Sequence, residues 1–143
     1  MSGALRVLVP TDGSEPARRA TEHVLALAAR GLSVDVHLVN VRPAVRGVAA
    51  SLVAAGDLED YHREEGMKTL AESLRLVEAA GMRPHAHVCV GDPGEAILAF
   101  ARKLNCEQIV MGTRGLGAVT ELLLGSVARH VVAGAAMPVT LVR

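Results

Sequence analysis

Along the chain, short apolar runs alternate with longer segments of helical period. Leu5 to Pro10, LRVLVP, has the length and composition of a buried strand. Ser14 follows as an N-cap with Pro16 in the first turn. Ala20, Val24, Leu27 and Ala28 then recur at i, i+4, i+7 and i+8 until Gly31, which predicts a helix. Val34 to Val41, VDVHLVNV, alternates as a second strand. Pro43 to Gly56 shows no convincing period and reads as a mobile connection. A longer helix is expected from Asp57 to Ala80, with Met67, Leu70, Leu74 and Val77 on its apolar stripe and Gly81 as its stop. A third strand follows from about Arg83 to Val90. The turn GDPGE opens a helix carrying Ile97, Leu98, Phe100 and Ala101, and Glu107 to Met111 reads as a fourth strand. Ser126 to Ala136 and Pro138 to Val142 complete the pattern as the last helix and last strand.

Strands that alternate with helices require crossover connections, so the expected fold is α/β. It is a single doubly wound, Rossmann-like domain spanning residues 1–143. Its five-stranded, mostly parallel sheet has the expected order 3-2-1-4-5 and helices on both faces. Such sheets bind ligands beyond the carboxyl ends of their strands, where the strand order reverses. The turns TDGS after the first strand and GTRG after the fourth both fall at carboxyl ends. If those strands are neighbours, one crevice holds both turns.

Charge and composition narrow the chemistry. Fifteen Lys and Arg balance fifteen Asp and Glu, so no basic excess supports a nucleic-acid or anionic-membrane partner. Tyr61 and Phe100 are the only aromatic residues among Phe, Trp and Tyr, which excludes base stacking on rings as a binding mode. Cys89 and Cys106 have no paired spacing and are expected to be small core residues. The uncharged run from Val131 to Val142 is too short to span a bilayer, and the N-terminus has no leader-like pattern, so a soluble, cytoplasmic protein is expected.

The candidate chemistry centres on GTRGLGAVTELLLGS, Gly112 to Ser126: Gly, two residues, Gly, nine residues, then Gly-Ser. No Gly-Lys-Ser/Thr follows the glycines, and Gly115-x-Gly117 lacks a third glycine, so neither a Walker A loop nor a dinucleotide fingerprint fits. Gly112 and Gly115 would still remove side chains where phosphates approach, and Gly125-Ser126 would offer donors at a helix start. The bland alternative is a tight turn and a cap. Arg114 lies within the loop, as a phosphate contact or a solvated side chain. Asp12 either meets a ligand or makes an Asx turn. His85-x-His87 shares one strand face, but no third ligand is evident, so no metal site is assigned. His23, His37, His62 and His130 have no local context that promotes them.

These segments together resemble the universal stress protein family over nearly the whole chain. The glycine spacing carries the resemblance, with PTDGS at the end of the first strand, GDPGEAI, EQIVMGTRG and the closing MPVTLVR. The resemblance implies the family's ATP-binding branch, with ATP accompanied by Mg²⁺ as the ligand. Pro10, Thr11, Asp12, Val41 and Met111 would then surround adenine and ribose. Gly112, Gly115, Gly125, Ser126 and Val127 would surround the phosphates, with Arg114 a further candidate. Asp12 should face ribose hydroxyls or an adenine amino group, or meet the phosphates through Mg²⁺. Thr120 and Ser126 become candidate phosphate acceptors, and Glu121 a candidate base. The last strand is expected at the sheet edge, and both its open backbone groups and the resemblance imply a homodimer. The function implied is a nucleotide-dependent stress-response regulator or protective factor. Two alternatives stay open: a slow ATPase or autophosphorylating enzyme, and a dimeric adaptor holding AMP, cyclic AMP or no nucleotide.

Overall fold

The computed structural model describes residues 3–44, 55–115 and 124–143. Its elements are β1 (Leu5–Pro10), α1 (Glu15–Ala29), β2 (Val34–Arg42), α2 (Ala55–Ala79), β3 (His85–Val90), α3 (Pro93–Lys103), β4 (Gln108–Gly112), α4 (Ser126–Gly134) and β5 (Val139–Val142). The five strands form one sheet in the order β3-β2-β1-β4-β5. Every neighbouring pair is parallel. The sheet is thus doubly wound, and the strand order reverses between β1 and β4.

Alternation along each strand divides the core into two layers. Val7, Val9, Val36, Leu38 and Val110 pack under Ala20 and Val24 of α1 and Leu70 and Val77 of α2. On the other face Leu8, Val39, Ile109 and Met111 meet Ile97, Leu98 and Ala101 of α3 and Ala128 and Val131 of α4. Between α1 and α2 the buried hydroxyls of Thr21 and Ser73 share a hydrogen bond of 3.1 Å.

Small differences from the sequence pattern have local causes. On α2, Met67 is 39% exposed and the inner row instead runs through Gly66, Leu70, Ser73 and Val77. A Cβ on Gly66 would stand 2.6 Å from Val88 Cγ2, so glycine alone allows β3 this close to the helix. The β3 ladder starts at His85 rather than Arg83, behind Pro84, which has no N–H to donate. Helix α4 ends at Gly134 because Ala135 is already extended, with ψ 136°. Most of the connection expected from Pro43 to Gly56 lies outside the described residues.

Candidate functional site

The turns after β1 and β4 meet beyond the carboxyl edge, where the switch in strand order opens a cleft of about 280 Å³. In the first turn the Gly13 N–H donates to Thr11 Oγ1 (3.2 Å) and the Ser14 N–H to Asp12 Oδ1 (3.0 Å). Gly13 holds φ +83°, a conformation that side chains rarely adopt. Asp12 therefore makes the Asx turn with one carboxylate oxygen. Its other oxygen, Oδ2, occupies the space that a Cβ on Gly115 would need.

The glycine that ends β4 and the next one along serve different neighbours. A Cβ on Gly112 would lie 2.7 Å from Pro16 Cβ and 2.9 Å from the Pro16 carbonyl carbon. That glycine lets α1 pack on β4. Gly115 instead makes room for the Asp12 carboxylate.

Helix α4 begins at the far wall with Gly125 as its N-cap, at φ −71° and ψ 168°, and no side-chain cap bond. The Gly125 N–H donates to the Thr113 carbonyl (2.7 Å), and the first i→i−4 bond runs from the Arg129 N–H to the Gly125 carbonyl (3.0 Å). Ser126, Val127 and Ala128 precede that bond, so helix geometry gives their N–H groups no intrahelical acceptor. All three line the cleft. By contrast, Ser14 Oγ caps α1 through the Ala17 N–H (3.3 Å) and Asp92 Oδ2 caps α3 through the Glu95 N–H (3.1 Å).

The cleft brings together each residue singled out in the sequence: Pro10, Thr11, Asp12, Val41, Met111, Gly112, Arg114, Gly115, Gly125, Ser126 and Val127. Gly117, Thr120 and Glu121 lie outside the described residues. The structure adds Val39, Asn40, Pro93, Ile97, Thr113 and Ala128 to the lining. Asn40 is the most informative addition. Its Nδ2 donates to the Thr11 carbonyl (2.9 Å), which ties β2 to the first turn, while its Oδ1 is buried without a hydrogen-bond partner. The only signal in the sequence was a polar residue near the end of an apolar strand.

Elsewhere, His85 and His87 share a face as the alternation predicts, and β2 supplies Asp35 and His37 beside them. Burial holds both His37 and His87 below the ordinary imidazole value, and a neighbouring imidazole adds to the effect in each case. Burial also raises the Cys89 thiol and pushes Cys106 up to about 11, so neither cysteine is a ready thiolate near neutral pH. Among the described residues, no helix is long and apolar enough to cross a membrane.

Comparison with known proteins gives a consistent result. The model of the universal stress protein family matches residues 4–143. A universal stress protein of Thermus aquaticus, from the 3' region of the QAH/OAS sulfhydrylase, is 39% identical over 145 residues, covering 96% of this chain and 97% of the relative. Universal stress protein MJ0531 of Methanocaldococcus jannaschii is 33% identical over 144 residues, covering 96% of this chain and 81% of its own. Among solved structures, a universal stress protein in complex with cAMP superposes with a TM-score of 0.73 at 25% identity, over 99% of both chains.

Proposed function

The chain belongs to the universal stress protein family, and from that premise we propose that it binds an adenine nucleotide, ATP with Mg²⁺, in the cleft between β1 and β4. Binding makes it a nucleotide-dependent regulator or protective factor in the stress response. The observation that carries this reading is the start of α4. Its uncapped first turn faces the cleft, where backbone N–H groups and the positive end of the helix favour an anion. An N-cap without a side chain, where α1 and α3 are capped by Ser14 and Asp92, fits a ligand that takes the place of the cap.

The residues present suit the nucleotide. Val39, Val41, Ile97 and Met111 form an apolar wall without aromatic rings, suited to a base held between aliphatic side chains. Asn40 Oδ1, buried and unpartnered, is an acceptor for an amino group. Ser126 and the α4 N–H groups would hold phosphate oxygens. The Asp12 carboxylate, held by the Asx turn and packed beside Gly115, would face Mg²⁺ or ribose. When bound, the nucleotide supplies the charge that α4 lacks at its cap.

A second reading, AMP or cyclic AMP in the same cleft, is favoured by the likeness to the cAMP-bound structure. The deciding experiment denatures the purified protein, separates the released small molecules by anion exchange and identifies them by mass. Near-stoichiometric ATP, absent from Gly115→Val, supports the first reading; AMP or cyclic AMP supports the second. A protein that releases no nucleotide and fails to bind added Mg-ATP, AMP or cyclic AMP refutes both. The assembly proposed is a homodimer through β5, which ends the sheet and leaves one row of backbone groups open to a second copy. A monomeric scattering mass at micromolar concentration would count against that assembly.

A further inference from the structure

Next to the cleft, β2 and β3 gather titratable side chains on one face of the sheet. Register sets His37 beside His85 and Val39 beside His87, and strand alternation puts Asp35 on the same face as His37. His85 Nε2 lies 2.9 Å from Asp35 Oδ1, and His37 Nε2 lies 3.4 Å from Asp35 Oδ2. The His37 and His85 rings stack with centroids 4.3 Å apart. One donor atom from each of the three residues falls within 4.8 Å of the other two. We propose that Asp35, His37 and His85 bind a divalent first-row transition cation, Zn²⁺ in the first instance, with His87 as a positioning residue.

The decisive observation is His37. It is only 7% exposed, and its Nε2 is buried without a hydrogen-bond partner although a carboxylate oxygen stands at ion-pair distance. Its other nitrogen, Nδ1, is 3.0 Å from His87 Nε2. Either nitrogen of the His37–His87 pair can carry the proton: with Nδ1–H donating to His87, Nε2 turns a lone pair towards the Asp35 carboxylate, whereas in the other tautomer Nε2–H points at that carboxylate. A lone pair facing a carboxylate is unfavourable unless a cation sits between them. The hydrogen bond from the second nitrogen of a ligating histidine is also the usual device for fixing tautomer and ring orientation. His87 is itself braced against the Phe100 ring of α3, at 5.5 Å between centroids.

Zinc bonds of about 2.0–2.1 Å in a tetrahedron put neighbouring ligand atoms about 3.4 Å apart. The 2.9 and 3.4 Å separations run to different oxygens of Asp35, and the stacked His37 and His85 rings, 14° apart in plane, must turn for both lone pairs to converge on one ion. Arg6, the register partner of Asp35 on β1, sends its guanidinium to the carbonyls of Leu104 (3.2 Å) and Asn105 (3.4 Å). The ion-pair partners of Asp35 are His37 and His85. The side chains of His85 and Asp35 are 51% and 34% exposed, which gives an entry route, while His37 closes the back. Two imidazoles with one carboxylate favour zinc and its transition-metal neighbours over Ca²⁺ or Mg²⁺, which prefer oxygen. Three protein ligands leave one position for water or an exchangeable ligand.

The test is zinc titration of tag-free, chelator-treated full-length protein by calorimetry, with Co²⁺ absorption as the spectroscopic readout. Near-stoichiometric binding is expected. Asp35→Asn and His85→Ala each weaken it about 100-fold, and both sites are exposed enough for the variants to fold. His87→Phe keeps a ring beside Phe100 but removes the acceptor; it weakens binding about 10-fold and shifts the Co²⁺ bands. His23→Ala on α1 binds as the parent does. Absence of saturable zinc binding, or a His85→Ala variant with parental affinity and an unchanged Co²⁺ spectrum, overturns the proposal and leaves a proton-linked His37–Asp35 pair in its place.

Discussion

One sheet carries two candidate sites built on opposite principles. At the carboxyl edge the donors are backbone N–H groups at an uncapped helix start, and the decisive residue types are those that remove side chains, Gly115 and Gly125. On the face formed by β2 and β3 the donors are side chains, Asp35, His37 and His85. The backbone site needs local spacing, because a loop must lead into a helix within a fixed number of residues. The side-chain cluster needs only register, which joins residues 50 positions apart. The first kind of site is therefore written contiguously in a sequence, whereas the second exists only after the strands have paired.

The contrast breaks most sharply on a pair of variants. Gly115→Val drives a branched side chain into the space of Asp12 Oδ2 and should empty the cleft of nucleotide, with affinity falling about 100-fold or more, while zinc binding is unchanged. His85→Ala should do the reverse. The two sites are neighbours on one face of the sheet: Val39, which lines the cleft and pairs with His87, follows His37 by two strand positions, about 7 Å of chain. Calorimetry of both variants with Mg-ATP and with Zn²⁺ checks this double dissociation. A variant that loses both ligands would mean that one site depends on the other.

The next test separates the glycines within one motif. Gly112→Ala places its Cβ against Pro16, including backbone that cannot easily yield, and should cost about 1–3 kcal/mol in urea unfolding. Gly115→Ala meets only a carboxylate at the end of a rotatable side chain and should leave stability within about 0.5 kcal/mol. Equal losses at the two positions would show that both glycines serve packing.

Such differences mark how much the chain revealed before it folded. The alternation of apolar runs and helical periods was sufficient for the α/β class, because β1, β2 and β4 are short apolar runs bounded by turn residues, whereas the crevice depended on β1 and β4 being neighbours, which periodicity alone does not fix. Of the eleven residues singled out that line the cleft, ten came from the resemblance position by position and Arg114 from its charge within the loop. The different jobs of Gly112 and Gly115 were not legible, since a sequence shows a missing side chain but not which neighbour fills the space. Asn40 was hidden because its hydrogen bond to the Thr11 carbonyl crosses from β2 to the end of β1. Met67 was misplaced on α2 for a related reason: a glycine, invisible to any hydrophobic period, holds the inner row where β3 comes closest. For His85-x-His87 the alternation gave the shared face, and only the register with β2 could supply Asp35 and His37.

Gly125→Asp sharpens the comparison further, because it should move two observables in opposite directions. Gly125 has an extended backbone, and a Cβ there meets only ordinary contacts, 3.5 Å from the Thr113 carbonyl oxygen and 3.6 Å from Arg114 Cα. An aspartate would supply the cap that α4 lacks and raise stability by a few tenths of a kcal/mol. The same carboxylate would occupy the donors proposed for phosphate and repel it, lowering nucleotide affinity about 10-fold. A rise in melting temperature without loss of nucleotide would detach the helix start from the ligand.

The smallest effect tests whether the backbone alone suffices. Ser126→Ala removes a hydroxyl at the first helical position but leaves its N–H, those of Val127 and Ala128, and the helix dipole in place. A single hydrogen bond contributes about 0.5–1.5 kcal/mol, so affinity for Mg-ATP should fall only a few-fold. At the other site, Asp35→Asn removes the negative charge itself, and the expected loss is about 100-fold. The ratio of those two losses measures how far each site depends on side chains. A large loss from Ser126→Ala would make the hydroxyl the principal phosphate ligand and bring the two sites under one principle.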